Sequence, residues 1–121
     1  MDLVRTEVSV DELNIDHKLS TLLNDEKVML QVHNEFARLC NPYVPFLEGP
    51  LSQTVEVYSD RVRYSQPYAH YQYYGVNFNH TLDYHPLASA MWDKAMLRDH
   101  REDFLIAIRN VLIRRAKELY G

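Results

Sequence analysis

The spacing of apolar residues changes twice along this chain, and that order restricts the folds open to it. Over residues 19–40 apolar side chains recur every three or four positions, which predicts a long amphipathic helix. Over residues 51–64 they alternate with polar ones around Ser59-Asp60, which predicts a β-hairpin. Helical spacing returns over residues 88–119. Because strands and helices do not alternate one by one, the order favours an antiparallel α+β fold over a doubly wound sheet.

Local signals divide these segments further. Residues 3–10 alternate and predict an edge strand, and Ser9 with Glu12 has the spacing of a capping box that starts a helix. Asn24-Asp25 is a candidate interruption of the long helix, and Asp99 with Glu102 predicts a second helix start near the C-terminal end. We therefore predict one domain over residues 1–121, with a small antiparallel sheet packed against a long N-terminal helix, followed by C-terminal helices.

Composition excludes several classes of protein. Cys40 is the single cysteine, so the chain has no internal disulfide and no cysteine-based zinc site, and a reducing compartment is indicated. No export signal and no run of about 18 apolar residues is recognised, so no membrane partner is expected. The formal charge is −4, and residues 87–121 carry seven basic against five acidic side chains, which is too weak a bias to predict specific nucleic-acid binding.

Candidate chemical sites are few. His70, His80 and His85 fall close together and, with Asp60 or Asp83, leave open a small metal-dependent hydrolase, although their spacing matches no helix-face pair of ligands. Cys40 lies on the apolar side of a predicted helix and is expected to be an inert core thiol. Isolated glycines supply no phosphate-binding loop, so no cofactor and no enzymatic activity are predicted.

Two further alternatives stay open. A regulatory module could bind DNA or RNA through basic side chains of the last helix, namely Arg109, Arg114, Arg115 and Lys117. Residues 67–85 are rich in tyrosine, and such a segment serves equally well as a subunit interface or as ordinary core.

Three segments resemble the minor capsid and tail-completion proteins of tailed bacteriophages. Residues 43–52 are similar to the family's VP-x-x-x-G-x-L segment, residues 64–75 to its PYA-x-x-x-YYG signature, and residues 92–95 to its W-x-x-A segment. The order and intervals agree across residues 40–97. On these segments we expect fold or interface determinants, and not a chemical site, at Gly49, Pro67, Tyr68, Ala69, Tyr73, Tyr74, Gly75 and Trp92.

The resemblance implies a structural virion protein of the head-to-tail connecting region, in the neck or completing the tail. It implies a homo-oligomeric ring that contacts neighbouring neck and tail proteins, located at the head–tail junction of the virion after assembly in the host cytoplasm. An edge strand over residues 4–10 and the tyrosine-rich segment are the expected contact surfaces.

Overall fold

A computed structural model describes residues 2–3, 8–44, 55–64, 73 and 91–121 of the chain. The described part is mostly helical and includes a small antiparallel sheet. Its strands and helices, in chain order, are β1 (Asp2–Leu3), α1 (Val10–Leu13), α2 (His17–Thr21), α3 (Glu26–Cys40), β2 (Val55–Val57), β3 (Val62–Tyr64) and α4 (Trp92–Tyr120). One turn of 3₁₀ helix precedes α3 and another follows it.

The first helix begins where the capping box predicts it. The Glu12 carboxylate accepts a hydrogen bond from the Ser9 backbone N–H at 3.5 Å, and the helix ends at Asn14, whose φ of 51° is left-handed. The strand predicted for residues 3–10 is therefore wrong at its C-terminal end, because Val10 is already helical. Of the predicted range only Leu3 is seen as strand, in β1, and residues 4–7 lie outside the described part.

The prediction of a long N-terminal helix is wrong. Asp25 has extended backbone angles, φ −79° and ψ 124°, and its carboxylate accepts from the backbone N–H groups of Lys27 and Val28. It therefore caps a new helix, α3, of 15 residues, although the apolar spacing runs on across this break. The longest helix is instead C-terminal, because α4 has 29 residues.

Helix α4 is kinked at His100, whose φ of −132° and ψ of 28° are not helical. The predicted second helix start at Asp99 thus coincides with a real change of direction, although no loop separates the two parts. Tyr43, just after α3, donates a hydrogen bond from its hydroxyl to Asp99 at 2.9 Å. A contact over 56 positions of sequence fixes the chain at the kink.

The sheet has the strand order β1-β3-β2 and is antiparallel throughout. Val57 pairs with Val62, and the Tyr58 N–H donates to the Arg61 carbonyl at 2.8 Å, so the predicted hairpin is confirmed over residues 55–64. β1 lies at one edge, as predicted. Helix α3 contacts both β2 and β3, which places the sheet against this helix.

The core lies between α3, α4 and the sheet. Phe36 of α3 and Phe104 of α4 meet edge to face, with ring centroids 5.6 Å apart, and both are almost fully buried. Burial of one such side chain stabilises a fold by about 1.5–3 kcal/mol. Cys40 is fully buried in the same cluster, as expected for a core thiol.

Candidate functional site

Trp92, at the first position of α4, is the centre of a buried aromatic cluster. Its ring centroid lies 5.0 Å from that of Tyr73 and 5.1 Å from that of Tyr64, both in edge-to-face geometry. The exposed fractions are 0% for Trp92, 2% for Tyr64 and 5% for Tyr73. Such aromatic pairs contribute about 0.5–1.5 kcal/mol each beyond their buried area. The cluster joins strand β3, the tyrosine-rich segment and the start of α4.

Two hydrogen bonds attach Tyr73 to the start of α4. Its hydroxyl donates to Asp93 Oδ1 at 2.5 Å, and its carbonyl accepts from the Met91 backbone N–H at 2.8 Å. Asp93 is 5% exposed and lies in the first turn, where the helix dipole favours a negative charge. Met91 has a left-handed φ of 48°, which turns the chain into the helix.

Two buried groups near this cluster, the Tyr64 hydroxyl and the Cys40 thiol, have raised pKa values. Burial raises the pKa of the Tyr64 hydroxyl well above its usual value, and burial together with the nearby Asp93 raises the pKa of the Cys40 thiol. A thiol or phenol with a raised pKa is a poor nucleophile or base near neutral pH. These two buried groups therefore contribute packing to the core.

Sequence-predicted residues divide into two groups in the structure. Tyr73 and Trp92 are in direct contact inside the core, although 18 residues separate them in the sequence. Asp93 was not among the functional residues predicted from the sequence. The signal that could have indicated it was an acidic side chain in the first turn of a helix. The other predicted residues lie outside the described part of the chain: Gly49, Pro67, Tyr68, Ala69, Tyr74 and Gly75.

A second polar cluster surrounds the kink of α4. The Asp99 carboxylate accepts hydrogen bonds from the Tyr43 hydroxyl, from Arg98 Nε at 2.8 Å and from Arg98 Nη2 at 3.0 Å. The hydrogen bonds from Arg98 and Tyr43 lower the pKa of Asp99 to about 2. The ring of His100 meets that of Tyr43 edge to face at 6.1 Å. This cluster ties the end of α3 to the bend in α4.

Several basic side chains of α4 form hydrogen bonds or ion pairs with other residues of the same chain. Arg109 donates to the Leu13 carbonyl at 2.9 Å, and Arg115 donates to Asp25 at 2.9 Å. Arg101 makes a two-pronged pair with Glu12 at 2.7 and 2.9 Å. Two of the four basic residues considered for nucleic-acid binding, Arg109 and Arg115, therefore hold the N-terminal elements against α4.

The metal alternative receives no support from the described residues. Among them no three His, Cys, Asp or Glu side chains are grouped closely enough to hold an ion. His70, His80, His85 and Asp83 lie outside the described part, so the proposed ligand set is not tested.

Within the described ranges no helix is both long enough and apolar enough to cross a bilayer.

The outer surface of α4 carries exposed apolar side chains beside a groove. Ile106 is 44% exposed and Ile113 is 43% exposed. Both line a groove of about 820 Å³ between α3 and the second part of α4, where Leu39 and Arg38 form the opposite wall. This groove and the exposed side chains beside it are a candidate surface for contacts with another protein.

Comparison with known families gives one match. A family model described as minor capsid protein matches residues 6–110. The match covers well over half of the chain and includes the aromatic cluster and the kink. Searches of curated proteins and of solved structures gave no match.

Proposed function

Because the chain belongs to the minor capsid protein family of phages, we propose that it is a subunit of the head-to-tail connecting region of a virion. Membership makes it a structural protein of the phage particle and implies contacts with other virion proteins. The proposal adds the place in the particle, a homo-oligomeric ring in the neck or at the end of the tail, and assembly in the host cytoplasm. The family match over residues 6–110 is the observation that carries it.

The architecture supports a protein that works through contacts. The buried cluster of Tyr64, Tyr73, Trp92 and Asp93 fixes one frame of helices and sheet, which we treat as one assembly domain. That frame leaves a long helix with exposed apolar side chains on its surface. A rigid frame lowers the entropy cost of docking, which suits a subunit that must fit between fixed neighbours.

Ring formation requires that one surface of each copy meet a different surface of the next. The described sheet offers two edges, at β1 and at β2, each paired on one side only by β3. Exposed strand edges accept a strand from a neighbouring chain. We propose that the edge at β1 is one of these contact surfaces, in a ring with neighbouring neck and tail proteins.

The proposal is tested by removing this chain from a phage that encodes it. We expect DNA-filled heads and complete tails that stay unjoined, counted by negative-stain electron microscopy. Adding the purified protein to the mixed extract should restore joined particles. The matched control is the Leu30→Glu variant, altered at an exposed position of α3 and expected to rescue as the unaltered chain does.

Other outcomes would contradict the proposal in distinct ways. Failure to form closed heads would assign the chain to the capsid shell instead. Normal infectious particles without the chain would remove any role in joining. Heads that lose DNA while tails attach normally would place its action before tail attachment and outside the joining step.

A further inference from the structure

The second part of α4 carries a regular stripe on its solvent side. After the kink, exposed residues recur at alternating intervals of three and four, which is the spacing of a coiled-coil seam. The exposed fractions of the apolar members are 44% for Ile106, 43% for Ile113 and 56% for Tyr120. The stripe consists of Asp103, Ile106, Asn110, Ile113, Lys117 and Tyr120. The buried side chains of the same helix segment, Phe104, Ile108 and Val111, point away from it into the core.

The stripe is a ridge between two depressions. Ile113 and Lys117 line the groove of about 820 Å³ toward α3 and also a smaller one of about 350 Å³ toward α2. The wider groove has Glu35, Arg38 and Leu39 on its far wall. A ridge beside a groove is the surface that helix packing needs, because the ridge of one helix enters the groove of the other.

The charges along the stripe favour a second copy of the same helix as the binding partner and set the relative direction of the two helices. Asp103 lies at one end, and Lys117 lies at the other with Arg114 beside it, both exposed. If two copies of α4 lie antiparallel, each acidic end meets a basic end. If they lie parallel, Asp103 meets Asp103 and Lys117 meets Lys117, which is repulsive. Asn110 lies at the middle, and a polar residue in a seam fixes the register of the pair.

We propose that a second copy of this chain packs its α4 antiparallel on the stripe and forms a two-fold dimer. The contact is self-complementary, since the same stripe serves both partners. This inference concerns the free protein and does not rest on the proposed place in the virion. Each copy would insert Ile106 and Ile113 beside the partner's groove between α3 and α4.

The oligomeric state is measured by sedimentation equilibrium over a range of concentrations. We expect a monomer–dimer equilibrium for the unaltered chain. Ile113→Glu places a charge in the seam of both copies and should raise the dimer Kd by about 100-fold or more. Leu30→Glu is the matched control, since Leu30 is 40% exposed but lies on α3 outside both depressions, and its dimer Kd should stay unchanged. Circular dichroism checks that both variants fold.

The direction of packing is tested by exchanging charges. Asp103→Lys alone and Lys117→Asp alone should each weaken the dimer, because each puts like charges opposite one another. The double variant should return the Kd to within about threefold of the original value. In a parallel pair like charges face each other in the unaltered chain and in every one of these variants, so the single exchanges would not weaken the dimer and the antiparallel arrangement would be refuted.

Three results would overturn the proposal. A strict monomer at every concentration removes the second copy as the occupant. A dimer whose Kd is unaffected by Ile113→Glu is formed by another surface. A monomer in which Ile113→Glu blocks incorporation into virions while Leu30→Glu does not would assign the stripe to a different virion protein and leave the proposed function intact.

Discussion

The contribution of the buried hydrogen bond from Tyr73 to Asp93 can be compared with that of a hydrogen bond of the same type on the surface. Tyr73 donates to the buried Asp93 at 2.5 Å, and Tyr58 donates to the exposed Glu56 at the same 2.5 Å. The two bonds join the same chemical groups. They differ in their surroundings, because Asp93 is 5% exposed, whereas Glu56 is exposed and Tyr58 is half-buried.

Removing each hydroxyl should therefore have unequal effects on stability. Tyr73→Phe takes a donor from a buried carboxylate, which should lower the free energy of unfolding by about 1.5–3 kcal/mol, the range for hydrogen bonds to charged groups. Tyr58→Phe removes a hydrogen bond to an exposed carboxylate, so we expect a change of about 0.5 kcal/mol or less. The difference between the losses of unfolding free energy in the two variants measures how much burial adds to the stabilisation by a tyrosine–carboxylate hydrogen bond.

Urea unfolding gives both values. Trp92 is the sole tryptophan and touches Tyr73, so its fluorescence reports the cluster itself, while far-ultraviolet circular dichroism follows the helices. Coincident transitions by the two signals would establish that a single free energy is meaningful. Equal midpoints for Tyr73→Phe and Tyr58→Phe, with equal slopes, would refute the idea that the buried bond attaches the tyrosine-rich segment to α4.

Three further changes test other parts of the fold. Phe104→Ala empties a fully buried position against Phe36 and should cost about 3–5 kcal/mol in urea unfolding; a loss below about 1 kcal/mol would contradict tight packing there. The pKa of Asp99 is lowered to about 2 from 3.8, so its carboxylate stabilises the fold above about pH 4 and this contribution is lost as pH falls through 2. The stability gap between the unaltered chain and Asp99→Asn should therefore close between pH 4 and 2, and a constant gap would argue against the pairs with Arg98 and Tyr43. Cys40 is fully buried with a raised pKa, so an aromatic disulfide reagent should label it only in urea; rapid labelling of the native protein would show an open core.

Patterns confined to a few neighbouring residues predicted local structure well. The hairpin follows from alternation over residues 55–64, and the start of α1 follows from the pairing of Ser9 with Glu12. These signals are sufficient because both partners lie close in sequence. The apolar spacing over residues 19–40 predicted the wrong helix length, since both sides of a break can face the same core. Asp25 decides the break through its own carboxylate, as the capping bonds show.

Contacts between distant residues were beyond the reach of the sequence. The kink at His100 is accompanied by the bond from Tyr43 to Asp99, and local spacing indicated a helix start there but no continuous bent helix. Tyrosines of residues 67–85 were equally compatible with core and with interface. The structure places Tyr73 in the core, because its hydroxyl finds a buried acceptor in Asp93.

Helix α4 has a buried side that packs in the core and an exposed side that carries the stripe. The residues that hold the fold together therefore differ from those that are available for contacts with another protein. Trp92 and Asp93 lie within the matched range of residues 6–110 and are buried. Ile113 and Lys117 are exposed and lie beyond that range. Packing inside the core does not depend on the binding partner, whereas an exposed docking surface must be complementary to the partner that it contacts. The family match covers the buried cluster and ends before Ile113 and Lys117, so what binds at these two positions of α4 must be measured on the exposed stripe of this chain.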